Sequence, residues 1–116
     1  KLYTSFYNTL SSQNKEVTYP EVGQEYEFGE GSFTVLGPTQ IRDDSNNNSV
    51  VVRLDYGDTS FLFTGDAESK EEKDIIAANE DLDCDVLSVG HHGSASSTSW
   101  DFWSRYFQNM QLFPVV

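Results

Sequence analysis

The residues best suited to chemistry stand just beyond apolar runs that read as strands. His91 and His92 are the chain's two histidines, adjacent in Gly90-His91-His92-Gly93-Ser94 after Val86-Leu87-Ser88-Val89. Neutral imidazole is a common metal ligand, and histidine is the usual proton carrier near neutral pH. On an extended backbone adjacent side chains point opposite ways. One histidine is therefore expected to bind an ion and the other to support it or touch substrate. The plain alternative is a polar turn that happens to contain two histidines.

The second feature, Phe63-Thr64-Gly65-Asp66, delivers one carboxylate at the tip of an apolar strand, with a glycine before it for close backbone approach. Its plain alternative is a strand-end turn, or an Asp near the start of the next helix. The third, Asn46-Asn47-Asn48-Ser49, sets amides before a strand; the tolerance of asparagine for turn geometry explains it without a site. Asp66 with one or two histidines makes two or three donors. Catalytic zinc takes about three protein ligands plus water, and a two-metal site takes more. The sequence has no His-x-His or His-x-x-x-His. Either no metal binds, or the remaining ligands lie outside this chain.

Strands and helices must position these groups. Tyr3, Phe6, Tyr7 and Leu10 have helical spacing and predict an amphipathic helix over 2–12. Val17-Thr18-Tyr19 reads as a short strand before Pro20. Residues 26–28 and 32–36 flank Gly29-Glu30-Gly31 as a hairpin. Residues 43–49 read as a polar loop. Alternation over 50–56 predicts a strand, Gly57-Asp58 a two-residue turn, and 59–64 the return strand. Ser69 and Glu72 have capping-box spacing, so a helix should run from Lys70 through Ala78. A strand over 86–89 follows. Thr98 and Asp101 repeat the start signal ahead of a core-facing stripe of Trp103, Tyr106, Phe107 and Met110. A last strand is expected over 112–116. The order predicts a mixed α/β fold with helices covering a sheet.

The 116 residues suit one domain, and 37% apolar content is enough to fold it. No apolar run reaches the roughly 20 residues of a membrane-spanning helix, so no membrane segment is expected. No signal peptide is visible. The first residues read as domain interior and the last as a strand, so the chain is expected to be part of a larger protein. The single Cys84 excludes an internal disulfide and a thiolate zinc cluster; it is expected to be small, partly buried and, among carboxylates, a poor thiolate. A net charge of −12 with seven scattered Lys and Arg argues against a strong nucleic-acid surface on this chain.

Read in order, "NNNSVVVRLDYGDTSFLFTGDAESKEE" and "CDVLSVGHHGSASST" resemble the metallo-β-lactamase superfamily. The nearest likeness is the branch typified by the hydrolase domain of bacterial DNA-internalisation competence proteins. The upstream "YPEVGQEYEFGEGSFTVLGPTQ" is similar to the same branch, so the resemblance covers nearly the whole chain.

The resemblance implies a four-layer αββα sandwich, of which 1–116 would form the C-terminal two-thirds as a single domain. The family's His-x-His-x-Asp-His motif belongs to an N-terminal half this chain lacks, and the missing half would be its first partner. Asp66 would bridge two divalent ions, zinc or manganese, and His91 or His92 would be the last histidine ligand, the match of "VGHHGS" favouring His92. Asn48 and Ser49 occupy the place of another histidine ligand in many relatives and would line the site. Ser94 would touch substrate or build the turn. The implied chemistry is hydrolysis of a phosphoester, a DNA strand in the competence branch, by a metal-activated hydroxide, with a nearby histidine donating a proton to the leaving group. Alone, the chain would bind metal weakly and be inactive. Two alternatives stand beside this: a degenerate binding domain, and a hydrolase of a small phosphoester such as a cell-wall phosphocholine ester. The Asn, Tyr and Ser content without disulfides fits a bacterial extracytoplasmic domain better than a cytoplasmic one.

Overall fold

The computed structural model describes residues 2–79, 83–106 and, for the backbone alone, 111–113. The fold is mixed α/β. Among the described residues six strands form one sheet in chain order: β1 (Glu25–Phe28), β2 (Gly31–Gly37), β3 (Val51–Tyr56), β4 (Thr59–Phe63), β5 (Val86–Ser88) and β6 (Gln111–Phe113). The first four are an antiparallel meander; β5 and β6 then add in parallel. Parallel neighbours need a crossover. It is supplied by α2 (Ser69–Ala78) before β5 and α3 (Trp100–Tyr106) before β6.

The meander follows its turn chemistry. Tyr56 pairs with Thr59 across Gly57-Asp58, and Gly57 has φ +58°, the sign a type II′ turn requires at its first central residue. On the covered face Leu36, Val51, Leu62 and Leu87 pack against Ile75 of α2 and Phe102 and Tyr106 of α3. The rings of Phe102 and Tyr106 are 4.5 Å apart. Phe107 and Met110 of the expected stripe lie outside the described residues.

The opposite face is open. Phe33, Val52, Leu54, Phe61 and Phe63 alternate with the core residues across β2, β3 and β4, and none is buried. The helix α1 (Leu2–Ser12) forms as expected but buries no residue: Leu2, Tyr3 and Phe6 are exposed.

Three local expectations fail. Val17-Thr18-Tyr19 is not a strand; Val17 and Tyr19 are exposed, so no burial rewards extension, and Pro20 lacks the N–H a ladder needs. The capping box at Ser69 does not form, because Ser69 is already helical. Its N–H donates instead to the Ser96 carbonyl at 3.0 Å, and the Glu71 N–H donates to Asn47 Oδ1 at 3.0 Å. The start of α2 is thus capped from two other loops. Thr98 does not cap α3. It has φ +53°, and the Ser99 hydroxyl accepts from the Phe102 N–H at 3.4 Å.

Candidate functional site

Phe63 of β4 pairs with Ser88 of β5, so the two strands end side by side. The chain leaves them as neighbouring loops, one carrying Asp66 and the other His91 and His92. The loops are tied together, since the His91 N–H donates to the Gly65 carbonyl at 2.9 Å. Thr64 Oγ1 also donates to the Ser88 carbonyl at 3.2 Å.

Asp66 is set by a third segment. Its N–H donates to Ser49 Oγ at 3.1 Å, and that hydroxyl donates to the Asn46 carbonyl at 2.8 Å. Gly65 has φ +56°, and a Cβ there would stand 3.3 Å from the Ser49 Cβ. Glycine thus supplies both the left-handed backbone and the room for Ser49.

The histidines do not lie on an extended backbone. His91 has φ +46° and His92 φ +54°, a left-handed turn that continues through Gly93. Non-glycine residues rarely adopt this conformation, and consecutive ones are rarer still. The division of labour between them therefore does not come from strand alternation. It comes from the turn, which sends the rings to different carboxylates. His92 Nε2 faces Asp66 Oδ1 at 4.0 Å, with side chains 76% and 48% exposed. His91 Nδ1 faces Glu68 Oε1 at 3.3 Å, with side chains 29% and 22% exposed.

Glu68 escaped the reading of the sequence. It sits where Ser96 Oγ donates at 2.9 Å, Asn46 Nδ2 at 3.3 Å and Asn47 Nδ2 at 3.5 Å. The Ser96 hydroxyl and then the Asn46 amide hold its carboxyl below the usual range. Its spacing from Asp66 was the available signal, but a Gly-Asp-Ala-Glu run looks like any acidic helix start.

The amide cluster has structural duties. Asn48 is committed to Arg42, accepting from its N–H and donating to its carbonyl, both at 2.6 Å. Asn47 is buried and caps α2. Ser94 Oγ stands 2.9 Å from Ser96 Oγ, and the Ser94 N–H closes the histidine turn on the His91 carbonyl at 2.9 Å. Ser49 is the member of this group that reaches Asp66. Beneath it, Glu71 Oε2 accepts from the Ser49 N–H at 3.1 Å while Oε1 is buried without a partner. Burial pushes the Glu71 carboxyl up to about 7.

Asp66 and His92 fit part of a divalent-metal donor set. A carboxylate and an imidazole suit zinc or manganese, and ligand atoms on a tetrahedral ion stand about 3.4 Å apart, near the 4.0 Å seen here. Among the described residues no group of three or more His, Cys, Asp or Glu gathers to complete a site.

No protein-family model matches the chain. Among described proteins it is similar to Recombination protein 2 of Haemophilus influenzae, 42% identical over 71% of this chain and 10% of that protein. It is likewise similar to ComE operon protein 3 of Bacillus subtilis, 39% identical over 60% of this chain and 9% of that protein. Competence protein ComA of Neisseria gonorrhoeae is 33% identical over 68% of this chain and 12% of that protein. The chain thus spans about a tenth of the length of these relatives. Among the described residues no helix is long and apolar enough to cross a membrane. The similarity runs to competence-related proteins.

Proposed function

We propose that this chain is part of a metal-dependent phosphoester hydrolase of the metallo-β-lactamase type, the C-terminal portion of an αββα sandwich. The carrying observation is the convergence of Asp66 and His92, 4.0 Å apart, from the ends of two adjacent parallel strands. That is where open sheets place their sites. The fold reading is supported by the open sheet face, whose Phe33, Val52, Leu54 and Phe63 suit a second sheet packed against them.

Asp66 Oδ1 and His92 Nε2 would hold the ion, and the Asp66 charge would offset the ion's own. Ser49 would keep the Asp66 loop in place through its hydroxyl. A divalent ion bound there supplies Lewis acidity and acidifies water beside the scissile group. The remaining ligands must come from outside the described residues. The relatives' names, competence and recombination, favour DNA as the phosphoester.

The charge of −12 favours a second substrate reading, a small phosphodiester that needs no basic face. The lack of a third ligand among the described residues favours a degenerate binding domain. The test is manganese-dependent hydrolysis of a chromogenic phosphodiester and of single-stranded DNA by the whole protein that carries this chain. Activity lost in Asp66→Ala supports the hydrolase. Activity unchanged by that substitution overturns the role of Asp66, and no activity on either substrate favours the binding domain.

A further inference from the structure

We propose that Glu68 is a positioning residue that holds His91 in its Nδ1–H tautomer, leaving Nε2 as the ring's lone-pair nitrogen. His91 Nδ1 is buried and has no hydrogen-bond partner, yet Glu68 Oε1 lies 3.3 Å away. A small rotation of the ring turns that contact into a hydrogen bond. The alternative tautomer would set the buried Nδ1 lone pair against carboxylate lone pairs, which is repulsive and leaves the nitrogen unsatisfied.

The carboxylate is not free to swing away. Ser96, Asn46 and Asn47 donate to its two oxygens from two separate loops. The backbone that carries the ring is held as well, because the His91 N–H donates to the Gly65 carbonyl. The carboxylate and the base of the His91 side chain are therefore placed before any ligand arrives. The exposed part of the His91 ring lies away from Nδ1, since that atom is buried while the side chain as a whole is 29% exposed. A carboxylate that fixes the inner nitrogen of a histidine in this way sets the ring's orientation and makes the other nitrogen more basic. His92 is placed differently: its Nε2 stands 4.0 Å from the half-exposed Asp66 carboxylate, and its side chain is 76% exposed. The two adjacent histidines are thus unequal, one set against a fixed carboxylate and one exposed.

What Nε2 of His91 then does, holding an ion or passing a proton to a leaving group, rests on the function proposed above. The tautomer does not. It is read by long-range proton–nitrogen correlation on the chain with ¹⁵N-labelled histidine, at alkaline pH, for the unaltered protein, Glu68→Ala and Glu68→Gln. The expected result is His91 mainly protonated on Nδ1, with the Nδ1–H to Nε2–H ratio falling about tenfold in Glu68→Ala, the loss of one hydrogen bond to a charged group. Glu68→Gln, whose amide oxygen still accepts, should retain the bias, and the His92 signals should be alike in all three. His91 protonated on Nε2 in the unaltered protein overturns the proposal, and that spectrum decides even if Glu68→Ala fails to fold. A ratio unchanged in a folded Glu68→Ala overturns it too. An Nδ1–H tautomer in a protein without phosphodiesterase activity would sink the hydrolase reading and leave this inference standing.

Discussion

The sheet has two polar ends, and they are built differently. At one end Asp66, Glu68, His91 and His92 gather on loops whose backbone runs through positive φ at Gly65, His91, His92, Gly93 and Thr98. At the other, Arg53, Asp55, Asp58, Asp83, Cys84 and Asp85 line a cleft of about 400 Å³. The second end has the cavity and more carboxylates. Yet its groups are satisfied locally: Asp85 accepts from the Ser60 N–H at 2.8 Å and its hydroxyl at 2.9 Å, and Arg53 pairs with Asp55 at 3.0 Å. The first end holds left-handed histidines, a buried unpartnered imidazole nitrogen and a buried unpartnered carboxylate oxygen on Glu71. Strain and unmet polar groups, held in place by cross-loop hydrogen bonds, are what set the proposed site apart from the cleft.

The largest separation between the ends should appear in activity. Asp66→Ala is expected to lower phosphodiester hydrolysis about 100-fold or more, and Asp85→Ala to leave it within about twofold. Steady-state rates of the whole protein check both, and equal losses would erase the contrast.

Next comes pH. Because burial raises Glu71 to about 7 from an ordinary 4.5, the folded chain binds that proton more tightly than the unfolded one. The stabilisation is complete below 4.5 and is lost as pH rises to about 7. Asp85 runs the other way. The Ser60 N–H holds its carboxyl below the usual range, so its contribution is present at neutral pH and lost on acidification. Urea unfolding at acid and alkaline pH should show the native chain losing about 3 kcal/mol between them relative to Glu71→Gln.

Ser49→Ala strips the Asp66 N–H and the Asn46 carbonyl of their partner. It is expected to destabilise by about 1–2 kcal/mol in the same assay, against less than about 0.5 kcal/mol for Asp58→Ala at the far turn. The smallest effect belongs to Cys84. Burial, more than its acidic neighbours, pushes the thiol up to about 12. Alkylation at neutral pH should be undetectable until denaturant is added, and rapid labelling of the native chain would contradict its burial.

What the sequence revealed and what it hid divide along physical lines. Alternation in 51–56 and the turn at Gly57-Asp58 are local signals, and the hairpin formed as read. That Asp66 and the histidine pair stand on loops just past strand ends was legible because an apolar strand ending in a polar loop is itself a pattern. The capping box was misread because α2 takes its caps from Asn47 and Ser96, far along the chain. Spacing within a helix cannot show a partner from another loop. For the same reason spacing could not show that Asn48 closes on Arg42 or that Glu68 meets His91. The orientation of the histidines was misjudged because a strand was extrapolated into a turn whose φ reverses sign.

The contrast between the two ends is tested most directly by titrating this chain with manganese while recording its amide spectrum. The account predicts weak binding, with paramagnetic broadening first at Asp66, His92 and their neighbours. Broadening that begins instead at Asp55, Asp83 and Asp85, and spares Asp66, would contradict it.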